Sequence, residues 1–429
     1  MDDNLRQFIS EHQSDDVTKL LLARKKWPEI DMDLAVNTIE GRRRIASKVP
    51  AWGARHDLLY PTRLCTEQCS SEATARYKAS IARRMGWKSV ADLTGGLGVD
   101  SWYLASAVPA VLHNEADPVL AAGVRENFET LGTMNITTRS MLVTPGNVSQ
   151  VLGDFVPDAV FMDPARRSGS GKKVFLIEDC QPDVLNLRDE IFGTCRWIFL
   201  KLSPMADISM AVGRLGFVTE VHTVATGGEC KELLVVMDRE HREGSYRLFV
   251  HDSGETLEFD PEQEKAAVPV LPESGSIIPG MTLFEPGKAL GKAGVANTLC
   301  SRFGLTRIGR FTNLYLTDGS GFQTAQPILG FGKTFRIDRV LPLDNRSVRE
   351  IGKELGWADV TAKNIPMTSE ELAKKMALSP KKANRTASAD GPHPVPHVFG
   401  VRADWSDSPS GNILLITSSS SRKSRQDRT

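Results

Sequence analysis

The chain has 429 residues, 53 Lys and Arg balanced by 53 Asp and Glu, and 41% hydrophobic content, which is the profile of a soluble globular protein of two or three domains. Zero net charge does not by itself point to nucleic acid, although residues 331–429 carry 17 Lys and Arg against 11 Asp and Glu, a mild basic bias. No apolar run approaches the ~18 residues of a membrane span, Met1–Ile9 is polar rather than leader-like, and six cysteines without paired spacing suit a reducing compartment, so a cytoplasmic protein with no membrane partner is expected.

Residues 1–85 read as helical, with apolar residues at helical spacing in Val17–Ala23 and Met32–Ile39. Two basic clusters stand there, Arg24-Lys25-Lys26 and Arg42-Arg43-Arg44 with Lys48. They fit either a solvated helix face or contacts to an RNA backbone. Cys65 and Cys69 have a Cys-x3-Cys spacing, but position 72 is Glu72, so no metal or cluster site is expected.

The stretch Val90-Ala91-Asp92-Leu93-Thr94-Gly95-Gly96-Leu97-Gly98-Val99-Asp100 reads as a buried strand, a glycine turn and the start of a helix through Ala107. Glycines at such a turn let the backbone approach a ligand that a Cβ would obstruct. No Gly-Lys-Ser/Thr follows, which excludes a P-loop. The dinucleotide pattern also fails, because Ser101 stands where its third glycine belongs. What remains is Asp-x-x-x-Gly-x-Gly, at Asp92, Gly96 and Gly98.

Val111–Glu115 is a second strand ending in an acid, placed where a carboxylate accepts from neighbouring ribose hydroxyls. Ala121–Asn127 reads as a helix closing at Leu131-Gly132. Asp158–Arg167 contains a third strand-end acid in Asp163-Pro164, and Trp197–Pro204 is a further buried strand. Strands alternating with helices in this way make a parallel, doubly wound sheet. A hairpin of Phe217–Val224 and Lys231–Met237 about Gly227-Gly228 closes this domain, expected at 86–240.

From 241 to 330 the texture becomes a small α+β, ferredoxin-like module: strands at Tyr246–Val250, Leu283–Pro286 and Leu314–Thr317, and a helix at Lys288–Phe303. Residues 331–417 read as a last module. It has a strand at Lys333–Val340, helices at Val348–Leu355 and Ser369–Met376 (capped by Thr368 or Ser369), a mobile loop over Ser379–Val395, and a hairpin of His397–Val401 with Asn412–Ile416. Residues 418–429 read as a disordered tail.

The glycine turn resembles motif I of the class I S-adenosylmethionine-dependent methyltransferases, and Asp163-Pro164 resembles the motif IV of the branch that acts on nucleic-acid bases. The whole chain is similar to a bacterial family of uncharacterised methyltransferases with a THUMP-like C-terminal domain. The likeness is carried by Asp92–Asp100, Asp163–Arg167, Lys201–Met205, Glu229–Leu233 and Asn364–Thr368. It implies a Rossmann-like α/β fold, S-adenosylmethionine held by Asp92, Thr94, Gly96, Gly98, Asp100 and Glu115, catalysis by Asp163, Pro164 and Arg166, and an RNA acceptor. THUMP-like character is expected over 331–417.

A base's exocyclic amine is a poor nucleophile, because its lone pair is spread into the ring. A carboxylate at Asp163, with the Pro164 carbonyl beside it, accepts from that amine while holding it in line. Two departures from the motif matter. Ala165 and Arg166 replace a proline and a stacking aromatic, leaving Arg166 to stack or to grip phosphate. The segment Lys201-Leu202-Ser203-Pro204 has no cysteine, which argues against C5 methylation of pyrimidines, and Cys180 and Cys195 read as core residues. Thr138–Val143 offers no acid for the cofactor adenine. The competing functions are an RNA-binding protein with an inactive methyltransferase domain, and a methyltransferase for a small molecule or protein.

Overall fold

A computed structural model describes residues 3–166, 177–241, 244–318, 321–379 and 396–419. The chain forms two compact units, Met1–Glu258 and Phe259–Thr429. The expectations for Arg167, for the 380–395 loop and for 420–429 lie outside the described residues. No described helix is long and apolar enough to cross a membrane.

The first unit begins with helices α1 (Asp3–Glu11), α2 (Val17–Leu22), α3 (Met32–Lys48), α4 (Pro50–Gly53), α5 (Arg63–Gln68) and α6 (Glu72–Met85). Side chains of Asp16, Asp31, Thr62 and Ser71 cap α2, α3, α5 and α6 by accepting from first-turn amides, which satisfies donors the helix cannot. The Arg42–Arg44 cluster is neither a plain solvated face nor a free basic surface. Arg42 donates to the His56 carbonyl, Arg43 to the Gln13 and Asp15 carbonyls, and Arg44 pairs with Glu40 and Glu67. Lys48 donates to the Glu67 carbonyl at 2.6 Å. These cations pin α3 to its neighbours.

A nine-stranded sheet follows. Its strands are β1 (Ser89–Asp92), β2 (Ala110–Asn114), β3 (Ile136–Arg139), β4 (Ala159–Met162), β5 (Trp197–Leu202), β6 (Val218–Thr226), β7 (Glu229–Asp238), β8 (Arg247–Asp252) and β9 (Glu255–Phe259). The spatial order is β9-β8-β6-β7-β5-β4-β1-β2-β3. β1 to β5 are parallel and β7 enters antiparallel to both neighbours, as the expected hairpin requires. Helices α7 (Val99–Ala105), α8 (Pro118–Thr130), α9 (Val148–Leu152), α10 (Val184–Phe192) and α11 (Ile208–Leu215) connect the strands. The order reverses between β1 and β4, so a crevice opens beyond their carboxyl ends, the place where such sheets take ligands.

The strand expected to open the second module instead extends this sheet. β8 pairs parallel to β6, and Arg247 reaches across that pair to the buried Glu220, which Arg84 also holds. His251 stacks on Tyr77 of α6 at 3.8 Å, and Phe249 stacks on His222 at 4.6 Å. The expected boundary at 240 therefore falls inside the first unit.

The second unit is built on one seven-stranded sheet. Its strands are β10 (Thr282–Pro286), β11 (Thr306–Gly309), β12 (Thr312–Thr317), β13 (Gly332–Pro342), β14 (Asp359–Lys363), β15 (Pro396–Ala403) and β16 (Gly411–Ser419), in the order β11-β12-β10-β13-β16-β15-β14. β10 pairs with β13, so the modules expected at 241–330 and 331–417 share hydrogen bonds across their supposed boundary. β16 runs to Ser419, and Ser418 pairs with Arg336, so the expected tail begins within a strand. The single helix expected at Lys288–Phe303 is broken in two at Gly294, whose φ is +71°.

The helical region is fastened to the first sheet by Asn127 of α8. Its amide accepts from Leu59 N at 2.7 Å and donates to Leu59 O at 2.8 Å, with the side chain buried. Asn127→Leu keeps the number and branching of the side chain's heavy atoms and leaves both Leu59 groups unpaired. The variant should lose about 2–3 kcal/mol of unfolding free energy, read from urea denaturation of the full chain; a change within experimental error would show that water replaces the amide.

Candidate active site

β1 ends at Asp92 and the chain turns through three glycines, each required for a different reason. A Cβ on Gly95 would lie 2.1 Å from the His113 ring, and one on Gly98 (φ +82°) 2.6 Å from Phe128. Gly96 (φ +54°) has no atom closer than the Thr94 carbonyl at 4.0 Å, so this position faces open space. Gly96 N donates to Glu115 Oε2 at 2.9 Å, and Asp117 N donates to Oε1 at 2.9 Å. Glu115 is thus fixed over the glycine turn at the end of β2.

Asp92 is almost wholly buried. It accepts from Thr94 N at 3.1 Å and from Ser101 Oγ at 2.6 Å. Burial pushes its carboxyl up to about 7, the Ser101 hydrogen bond opposing the rise. Ser101 Oγ also meets His113 Nδ1 at 3.0 Å, and burial drives that imidazole down to about 3, keeping it neutral. Asn114, unnoticed in the sequence, braces the crevice: it donates to Met141 O at 2.9 Å and accepts from Met141 N at 3.1 Å.

Across the crevice, Asp163 follows β4. Its backbone N donates to Thr94 Oγ1 at 2.6 Å, which ties the two strand ends together. Its Oδ2 accepts from Lys201 Nζ at 2.5 Å. Burial raises the Asp163 carboxyl, and the Lys201 ammonium works against that rise. Burial alone would lower Lys201; Asp163, Glu232 and Asp100 instead hold it above its usual value.

Lys201 leads into a buried ionic cluster. Lys78 of α6 has no exposed surface, and it pairs with Glu232 at 2.7 Å and Asp100 at 3.1 Å. Ser70 Oγ donates to Asp100 Oδ2 at 2.7 Å and accepts from Lys78 Nζ at 3.0 Å and from Lys201 Nζ at 3.4 Å. Asp100, expected beside the cofactor, is therefore engaged with Lys78 and Ser70. A cavity of about 1050 Å³ opens against Lys201, lined by Arg44, Lys48 and Arg76 from the helices and by Gly227 and Lys231 from the β6–β7 hairpin.

Of the expected site residues, Asp92, Thr94, Gly96, Gly98 and Glu115 surround one turn, and Asp163 with Pro164 lies across from it. The Arg166 backbone pairs with Cys180 in a two-residue ladder, and its side chain lies outside the described residues. Ser70, Lys78 and Glu232 were missed; a lysine at an apolar position of α6 was the available signal. Cys65 and Cys69 are held by the Thr62 and Thr66 carbonyls, and burial raises both thiols. Among the described residues no group of three His, Cys, Asp or Glu side chains could hold a metal ion.

The Asp92 proton has a measurable sign. A folded carboxyl near 7, against about 4 when unfolded, stabilises the fold fully below pH ~4, and that contribution is lost as pH rises to ~7. Asp92→Asn cannot titrate. The unfolding free energy of wild type minus that of the variant should therefore fall from pH 4 to 7 and level off above; a pH-independent difference would contradict the buried neutral carboxyl.

Residues 332–391 match the THUMP domain-like family model. No curated protein sequence matches the chain significantly. Among solved structures, a candidate methyltransferase from Porphyromonas gingivalis is 24% identical, with a TM-score of 0.78 over 98% of this chain and 100% of that one. An O-methyltransferase from Bacillus cereus in complex with S-adenosylhomocysteine is 12% identical over 47% of this chain and 91% of that one, with a TM-score of 0.33. A Thermus thermophilus 16S rRNA guanine methyltransferase bound to S-adenosylmethionine and guanosine is 16% identical over 40% and 44%, with a TM-score of 0.29. At those two scores the likeness carries no weight. The chain has the Rossmann-like α/β fold of the Porphyromonas protein, followed by a THUMP-like region.

Proposed function

We propose that this protein is an S-adenosylmethionine-dependent methyltransferase whose acceptor is a base nitrogen of RNA. The observation that carries the reading is the pair of carboxylates on opposite sides of one crevice. Glu115 stands over an open glycine turn, and Asp163 is oriented by a buried lysine.

The glycine turn fits the cofactor. The space above Gly96 is one that a Cβ would fill, and the Glu115 carboxylate beside it keeps lone pairs for ribose hydroxyls. Thr94, Gly96 and Gly98 would line the ligand, with the buried Asp92 beneath them, its carboxyl raised by burial. Bound S-adenosylmethionine supplies an electrophilic methyl group on a sulfonium.

The rest of the task falls to this chain's own groups. Asp163 Oδ2 is occupied by Lys201, while Oδ1 has no hydrogen bond among the described residues. Oδ1 is the free acceptor for the incoming amine, with the Pro164 carbonyl as the second. Lys201 fixes the carboxylate's orientation, and its cation opposes the rise that burial imposes on Asp163. Cations and carboxylates both line the cavity beside Lys201, where Arg44, Lys48, Arg76 and Lys231 meet Glu72, Glu229 and Glu232, and the THUMP-like region supports RNA as the acceptor's identity. The Ala165 and Arg166 departures keep open an RNA-binding protein without activity; that outcome would show as RNA binding with no methyl transfer.

S-adenosylhomocysteine should raise the melting temperature by mass action, NAD should not, and Gly96→Val should abolish the shift. No shift at millimolar ligand would remove the cofactor assignment. In a tritium-transfer assay on RNA from cells lacking the gene, Asp163→Ala should cost ~10²–10⁴ in turnover with cofactor affinity little changed. Glu115→Ala should weaken cofactor binding first. Lys201→Met should move the acid limb of the rate profile to higher pH, because Asp163 loses the cation that lowers its pKa; an unmoved limb would deny Lys201 this role.

A further inference from the structure

The turn between β11 and β12 is Arg310-Phe311, a two-residue connection flanked by the paired Gly309 and Thr312. Such turns favour Asn-Gly or Gly-containing pairs, and Arg-Phe answers no local requirement. Phe311 is 86% exposed. An apolar ring at the tip of a turn adds nothing to the core, so the surroundings must account for it.

Those surroundings hold the tip rigidly. Arg310 N donates to Asp404 Oδ2 at 2.7 Å, and Thr312 Oγ1 donates to the Arg402 carbonyl at 2.8 Å. Asp404 is itself fixed, its N donating to Ile308 O at 2.9 Å and its Oδ1 accepting from Ser410 Oγ at 2.6 Å. From the other side Asn364 Nδ2 donates to the Phe311 carbonyl and to Thr312 Oγ1. Asn364 does so from φ +57°, a left-handed conformation of the kind held at ligand sites. Two segments, Arg402–Asp404 and Asn364, thus hold the backbone of the turn that carries the exposed ring.

The ring borders a hollow of about 660 Å³ whose lining includes Arg310, Asn364, Arg402, Trp405 and Ser410. Trp405 is half-buried there. Both Asp404 oxygens are engaged by other donors, and the Arg310 guanidinium has no hydrogen bond or ion pair among the described residues. Arg402 pairs with Asp404 at 3.7 Å while its side chain stays 57% exposed. Aromatic faces beside outward-held guanidinium groups are the combination that unpaired bases and their phosphates take.

We propose that this hollow binds single-stranded RNA, stacking a base on Phe311 and holding the adjoining phosphates with Arg310 and Arg402. The proposal rests on the RNA reading given above and adds a site outside the catalytic crevice. Because the turn's backbone is already fixed, binding would restrict only the ring's own rotamer, which favours affinity. A protein partner is the other occupant such a surface could take, and the experiment separates the two.

The test is fluorescence anisotropy of the full chain with a labelled single-stranded oligoadenylate RNA and with a labelled RNA duplex, over a salt series. Phe311→Ala should weaken single-strand binding by about 10-fold without changing the melting temperature, and should leave duplex binding unchanged. Phe311→Trp should restore single-strand affinity. Arg310→Ala with Arg402→Ala should flatten the salt dependence. Equal affinity of wild type and Phe311→Ala for the single strand would overturn the hollow's role alone. So would a Phe311→Trp variant as weak as alanine. A wild-type chain that binds neither RNA would overturn the RNA reading together with this site, and a protein partner for the tip would then be sought.

Discussion

The first unit depends on the ionic cluster of Lys78, Lys201, Asp100, Glu232 and Asp163. Its inner members are nearly dry: the side chains of Lys78 and Glu232 are 0% and 4% exposed. Taking each ion out of water costs several kcal/mol, a cost offset only if every charge has partners at close range. Ser70 makes this possible, because one hydroxyl donates to Asp100 and accepts from both lysines. The cluster joins Ser70 and α6 of the helical region to α7, to β5, to β7 and to the carboxylate after β4. The N-terminal helices are therefore tied into the wall of the crevice rather than being an appendage. Replacing one lysine by an apolar residue would strand two carboxylates, whereas an all-apolar cluster would lose the orientation of Asp163.

Short bonds among the crevice's own residues hold its walls in place. Glu115 receives amides from two different loops, Asn114 bridges to Met141, and Thr94 ties β1 to Asp163. The Thr94–Asp163 bond joins the ends of β1 and β4 at the switch point, while the others brace the ends of β1, β2 and β3 on one side of it. Order established in advance lowers the entropy lost on binding, which is the physical use of so many short, local bonds around one turn.

What could be read from the sequence was what is local in it. Asp92, Gly96, Gly98, Glu115 and Asp163 each end a short apolar run, and strand-end acids beside a glycine turn are visible within a dozen residues. The hairpin at Gly227-Gly228 was visible for the same reason. Lys78, Ser70 and Glu232 were not, because their meaning is a pairing across as many as 162 residues. Lys201 stood in plain view as the place where a cysteine was missing, and its charge went unread. Arg42–Arg44 looked like a surface because a basic triplet on a helix usually is one; here neighbouring backbone carbonyls take Arg42 and Arg43, and Glu40 and Glu67 take Arg44. The boundary at 240 misplaced β8, since nothing in Arg247–Asp252 itself says that its partner is the parallel β6 rather than a strand ahead of it.

The position of β16 has a consequence for synthesis. This strand lies between β13 and β15 in the second sheet, so the ribosome must pass Ser419 before the sheet can close. The first unit, complete by Glu258, can fold while the remainder is still being made. At ~5–20 residues per second the interval between the two events is roughly 10–30 s. Throughout it the edge of β13 that will receive β16 presents unpaired backbone groups, the kind of edge that pairs with other chains. Until β16 is made, the nascent second unit is thus the part of the chain open to pairing with other chains, whereas every crevice residue already lies within the first unit.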